Sequence, residues 1–123
     1  MEFGISTLRL GRTAYSVTVS GELDLFTCPE LQAELALVPH EVRRALIDLS
    51  DVTFVDSTGL AVLARFARQL RARGGGVVLV YDDDSVERLV RQTRLDGLFE
   101  IRRPGDEPTR YLVGRSLLDS LRR

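Results

Sequence analysis

The stretch that most constrains this chain is Asp51-Val52-Thr53-Phe54-Val55-Asp56-Ser57-Thr58-Gly59-Leu60. An apolar run precedes it, Ala45-Leu46-Ile47-Asp48-Leu49, with the length of a buried strand. A long amphipathic stretch follows it, Ala61 to Arg73. Between them stand Asp56, Ser57 and Thr58, small polar residues of the kind that cap helix starts. The arrangement is a strand-to-helix junction with a hydroxyl at the helix N-terminus. In an open parallel sheet, ligands and partners bind at such junctions.

The rest of the chain supplies the other elements. Phe3 to Leu10 has strand-like alternation, and Gly11-Arg12 is a turn signal. Tyr15, Val17 and Val19 then alternate with Ser16, Thr18 and Ser20, which makes a half-buried strand ending in Gly21-Glu22-Leu23-Asp24. The short connection between these two strands predicts an antiparallel hairpin. Thr27 stands as an N-cap, with Pro29 near N1 or N2 and Glu30 at N3; Leu31, Leu35 and Val38 form one helical face. A third strand is expected over residues 43–49. The helix that follows is expected over 57–73, burying Leu60, Leu63, Ala64, Ala67 and Leu70 and stopping at Gly74-Gly75-Gly76. Val77 to Tyr81 is apolar throughout, as a central parallel strand would be. Ser85 is expected to cap a third helix with Val86, Leu89 and Val90 inward. Leu98 to Ile101 reads as a fifth strand, and Tyr111 to Leu121 as a final helix.

The order is ββαβαβαβα. It predicts a single α/β domain over 1–123, with a mixed five-stranded sheet and about four helices. The N-terminal strand is antiparallel and the rest mainly parallel. Strands joined through helices are commonly neighbours. Asp24, Asp56-Ser57 and Asp82-Asp83-Asp84 should therefore all lie at the same carboxyl edge of the sheet. Each of these residues has a simpler reading as well: turn residue, helix cap or solvated rim.

Three words of the sequence, in this order, resemble the STAS domain of anti-sigma factor antagonists. They are Gly21-Glu22-Leu23-Asp24, the stretch from Leu49 to Leu60, and Thr93-Arg94-Leu95-Asp96-Gly97-Leu98-Phe99-Glu100-Ile101. Two positions depart from the family pattern. Arg94 stands where the family usually has Gly, and Asp82-Asp83-Asp84 is more acidic than usual. The resemblance implies that a partner kinase phosphorylates Ser57. It implies a partner surface at Asp24, Thr27, Asp56, Ser57, Thr58, Gly59 and Leu60. The partners implied are an anti-sigma factor with serine kinase activity and a serine phosphatase. In this reading the chain is a switch and a substrate, not an enzyme, and ATP belongs to the kinase. A second reading keeps the fold but makes the chain a STAS subunit of a membrane transport complex, gripping its ATPase.

Composition removes several other chemistries. The net charge of −1 does not suggest a nucleic-acid binder. No apolar run approaches the roughly 18 residues of a membrane span, and no signal peptide is apparent. Cys28 is the only cysteine, so no internal disulfide forms, and a cytoplasmic setting is the simplest expectation. Cys28 itself reads as a small loop residue. All 17 basic residues are Arg. A phosphoryl-accepting receiver domain, which needs a lysine, is thereby excluded. A serine hydrolase elbow would need Gly where Val55 stands. The one histidine, His40, precedes the third strand and should lie at the opposite edge. No cofactor is expected. Consecutive aspartates at 82–84 make a poor metal site, and no metal is expected either.

Overall fold

Val17, Val19 and Leu23 are fully buried, whereas Ser16, Thr18 and Ser20 between them are only partly so. This alternation pins one face of a long strand against a core. The computed structural model describes residues 2–105. Its elements are β1 (Gly4–Arg9), β2 (Ala14–Leu23), α1 (Cys28–Ala36), β3 (Arg44–Val55), α2 (Ser57–Ala72), β4 (Gly76–Val80), α3 (Asp84–Gln92) and β5 (Glu100–Arg102). The five strands lie in chain order, β1-β2-β3-β4-β5. The β1–β2 pair is antiparallel, and every later pair is parallel. The described residues hold three helices; the helix expected over residues 111–121 lies outside them. No described helix is long and apolar enough to cross a membrane.

All three helices pack on one sheet face. Leu31 and Leu35 from α1, Leu60, Leu63, Ala67 and Leu70 from α2, and Val86 and Val90 from α3 share one core with Val17, Val19, Ile47, Leu49 and Leu79. A fully buried Leu or Val contributes about 1.5–3 kcal/mol by leaving water. Val62 and Phe66 are buried too, because α1 packs beside α2 and widens the apolar stripe. The other sheet face carries a smaller cluster, Leu46, Val78 and Val80 with Leu10 against it.

β3 is the largest departure from expectation. It runs to Val55 rather than stopping near Leu49. Two register shifts in the β2–β3 ladder account for this, one between Thr18 and Ser20 and one between Gly21 and Glu22. Each inserts an extra residue into β3. The buried positions consequently fall at Leu49, Val52 and Val55, three apart instead of two. Bulges of this kind bend and twist a strand without ending it.

Helix ends also differ in detail. Asp83, not Ser85, caps α3: its side chain accepts from the Ser85 amide at 2.8 Å and from the Val86 amide at 3.4 Å. The Ser85 hydroxyl donates to the same carboxylate. A charged acceptor upstream outcompetes a hydroxyl for the free amides. These bonds hold the Asp83 carboxyl below its ordinary range. β5 begins at Glu100 rather than Leu98, and Phe99 is buried just before it.

Helices α2 and α3 end in the same hydrogen-bond pattern. After α2, Gly74 (φ +86°) donates to Arg71 and Gly75 donates to Leu70, both at 2.9 Å. After α3, Arg94 donates to Arg91 at 3.0 Å and Leu95 to Val90 at 3.1 Å. This is the Schellman closure, which needs a left-handed residue after the cap. Arg94 supplies it at φ 58°, the only non-glycine among the described residues with positive φ. Arg94→Gly should therefore stabilise the fold by about 0.5–1 kcal/mol in urea denaturation, since the left-handed cost exceeds the added unfolded-state entropy.

Gly59 behaves differently from a residue that opens a helical turn to a partner. It is buried, and a Cβ there would lie 2.7 Å from Leu23 Cγ and 2.8 Å from the Leu23 carbonyl oxygen. Gly59→Ala should lower stability by about 1–3 kcal/mol through this clash, despite Ala being the better helix former by about 1 kcal/mol. Equal or greater stability of that variant would show that the contact relaxes freely.

Candidate functional site at the tip of β2 and β3

β2 and β3 end level with each other. Leu23 is the register partner of Val55, and the Asp56 amide donates to the Leu23 carbonyl at 3.2 Å. Asp24 and Asp56 therefore leave neighbouring strand ends side by side. β4 stops much earlier. Its last residue, Val80, pairs with Asp48, so β3 runs seven residues past it. Two of those seven are bulge residues, so the reach equals the five residues of β2 from Thr18 to Leu23; at about 3.3 Å per residue, the end of β4 that precedes Asp82-Asp83-Asp84 is set back from the tip by roughly 16 Å. Asp24, Asp56-Ser57 and Asp82-Asp83-Asp84 thus follow neighbouring parallel strands at one carboxyl edge, as expected, with Asp24 and Asp56-Ser57 side by side and Asp82, Asp83 and Asp84 set back.

The tip is built from two capping carboxylates. Asp56, extended at φ −101° and ψ 179°, caps α2, and its Oδ1 accepts from the Gly59 amide at 2.9 Å. Asp24 Oδ1 accepts from the Phe26 amide at 2.9 Å and the Thr27 amide at 3.1 Å. Thr27 precedes α1 at the cap position but makes no side-chain bond into the helix. Its hydroxyl turns back instead, donating to the Glu22 carbonyl at 2.8 Å and accepting from the Asp24 amide at 2.9 Å. The β2–α1 turn is thereby cross-braced.

Ser57 and Thr58 occupy the first two positions of α2 and are exposed. The Ser57 hydroxyl makes no hydrogen bond among the described residues. Helix N-termini present unpaired amides and a partial positive charge, which favour an anion. Gly59 and Leu60 do not belong to an accessible surface: Gly59 is buried, and Leu60 is 1% exposed. Leu60 instead begins the buried stripe of α2 that continues through Leu63, Ala64, Ala67 and Leu70.

Cys28 is not a loop residue. It is the first residue of α1, 3% exposed, and burial pushes its thiol pKa up, with Asp56 and Asp24 adding to the shift. The thiol is thus kept protonated, the opposite of an activated nucleophile. His40 sits before β3 in the α1–β3 connection, at the end of the sheet away from Ser57, so no serine–histidine pair forms.

Sequence reasoning missed the turn's apolar content. Leu25 is 64% exposed and Phe26 87% exposed, directly between Asp24 and Thr27. Phe54 on β3, the register partner of Glu22, is also exposed. The signal was present in the sequence as two large apolar residues inside a turn, where polar residues prevail.

The carboxylates hold the tip together, which sets the outcome of changing them. Asp56→Ala should cost about 1 kcal/mol, whereas Asp56→Asn should be close to neutral, because Asn caps equally well. Asp24→Ala leaves two amides without their acceptor and should cost about 1–3 kcal/mol. Urea denaturation of the three variants checks the ranking.

Comparison with known proteins agrees with this architecture. Residues 6–102 match the sequence model of a family described as "Mlab, STAS domain". An anti-sigma-B factor antagonist of Listeria monocytogenes is 35% identical over 89 residues, covering 70% of this chain and 76% of that protein. The crystal structure of an anti-sigma factor antagonist from Mycobacterium paratuberculosis superposes with a TM-score of 0.74 at 26% identity, over 99% of this chain and 96% of that one. A third relative, the Bacillus cell fate determinant SpoIIAA in its phosphorylated form, shares the fold alone: 17% identity, TM-score 0.68, over 85% of this chain and 94% of that one. On the match across residues 6–102 and the identity to the Listeria protein, this chain belongs to the STAS domain family.

Proposed function

We propose that this chain is an anti-sigma factor antagonist whose unphosphorylated form binds an anti-sigma factor with serine kinase activity. That binding frees a sigma factor. The kinase then transfers the γ-phosphoryl group of ATP to the Ser57 hydroxyl; the serine O–P bond forms, ADP leaves, and the hydroxyl proton passes to a base of the kinase. A serine phosphatase hydrolyses the ester and resets the cycle. The observation that carries this reading is the exposed Ser57 hydroxyl on the first turn of α2, beside the capping Asp56. The names of the relatives at 35% and 26% identity support it.

Phosphate at Ser57 would act on binding more than on folding. Phosphoserine brings roughly −1.5 to −2 charges at pH 7. The α2 N-terminus favours that charge by about 0.3–1 kcal/mol. Asp24 and Asp56 oppose it: two unit charges ~7 Å apart repel by about 2 kcal/mol at an effective dielectric of ~20. Salt and exposure reduce that repulsion. These intramolecular effects partly cancel. At an interface the dianion must be desolvated against a surface shaped for a hydroxyl, and each ~1.4 kcal/mol lost weakens binding tenfold.

Ser57→Ala should bind the kinase permanently and accept no phosphate. Ser57→Asp should bind at least about tenfold more weakly, with both melting temperatures close to wild type. Calorimetry with the kinase, and mass spectrometry of the chain after incubation with kinase and ATP, test this. Equal, wild-type-like affinity of both variants would remove the switch. Stable copurification with a transporter ATPase would favour the transport-subunit reading instead.

A further inference from the structure

The tip carries more than a switchable hydroxyl. Among the described residues five large apolar side chains are exposed: Leu8, Leu25, Phe26, Leu37 and Phe54. Three of these five lie on the β2–β3 tip. Phe26 is the most exposed of all, at 87%, and Leu25 beside it is at 64%. Neither serves the core. Both sit in a turn whose backbone is fixed by the Asp24 carboxylate and the Thr27 hydroxyl. A rigidly presented apolar pair loses little conformational freedom on docking, which is how an interface anchor differs from an incidental surface leucine.

The charge around the pair is one-sided. Residues 21–31 and 51–64, which form the tip, contain Glu22, Asp24, Glu30, Asp51 and Asp56 and no basic residue. A second copy of this chain would bring like charge against like, so self-association through the tip is disfavoured. A partner cleft that is apolar at its floor and basic at its rim matches both features.

We infer that Leu25 and Phe26 are the affinity anchor of the partner interface, seated in an apolar, basic-rimmed cleft of the anti-sigma factor. This rests on the proposed function and divides its labour. The pair supplies binding strength whether or not Ser57 is modified, while Ser57 supplies the change. Loss of the pair therefore weakens binding without altering the factor by which modification weakens it.

The test uses the full chain and a purified serine-kinase anti-sigma factor encoded by the same genome. Affinities are measured for Leu25→Ser, Phe26→Ser, the double variant, and Leu37→Ser, a control at an exposed leucine away from the tip. Each single tip variant should lose about tenfold and the double roughly a hundredfold. Leu37→Ser should bind like wild type, and all four should melt close to wild type. The affinity ratio of Ser57→Ala to Ser57→Asp should be the same with and without Phe26→Ser. Wild-type affinity of the double variant overturns the inference and leaves the proposed function standing. Failure of the wild-type chain to bind any such kinase overturns the proposed function and this inference with it. A wild-type dimer in sedimentation that Phe26→Ser converts to monomer would show a second copy as the occupant, and would overturn the assignment to the anti-sigma factor.

Discussion

The tip depends on the close approach of Leu23 to the first turn of α2. The end of β2 lies directly against a helix start, and it can do so only because position 59 has no side chain. The same contact lets the Leu23 carbonyl accept the Asp56 amide. Asp56 is thereby fixed in the extended conformation from which its carboxylate reaches the Gly59 amide. With Asp56 held, Ser57 emerges as the first helical residue, exposed to solvent. One missing methyl group thus orders three consecutive features: strand end, cap and exposed hydroxyl.

Much of this was legible in the residues. Strict alternation in Tyr15 to Val19 marked β2, and the Leu60, Leu63, Ala67, Leu70 spacing marked α2 with its buried face. The element order placed β2, β3 and β4 side by side in parallel. What remained illegible follows from physical causes. The second half of β3 lost its period of two to a pair of bulges, so residues 50–55 did not look like a strand. Strand lengths could not be compared from sequence, so the set-back of Asp82-Asp83-Asp84 was hidden. Cap assignments failed where two candidates stood two residues apart, as with Asp83 and Ser85. Gly59 could be read as leaving room for a partner or room for the chain itself, and only the position of Leu23 decides between them.

The tip combines two kinds of chemistry on separate side chains. Its carboxylates are largely occupied: Asp24 and Asp56 accept backbone amides and so act as structure first. Their negative charge nonetheless persists at the surface and reaches Cys28, where it adds to burial in keeping the thiol protonated. The Ser57 hydroxyl and the apolar side chains of Leu25 and Phe26 are exposed beside them.

The unequal lengths of β3 and β4 have a further consequence. Residues 44–48 of β3 are paired on both sides, by β2 and β4. Beyond Asp48 the strand has, among the described residues, a ladder partner only in β2. One strand is therefore interior at its root and marginal at its end, where a row of backbone donors and acceptors faces outward. Such a row is a template for unwanted strand addition from another chain. The two bulges lie in just this half, and a twisted, irregular ladder is a poor template. Asp51 adds an exposed charge there. The irregularities that obscure the strand in the sequence thus double as protection against fibrillar self-assembly at that end of β3.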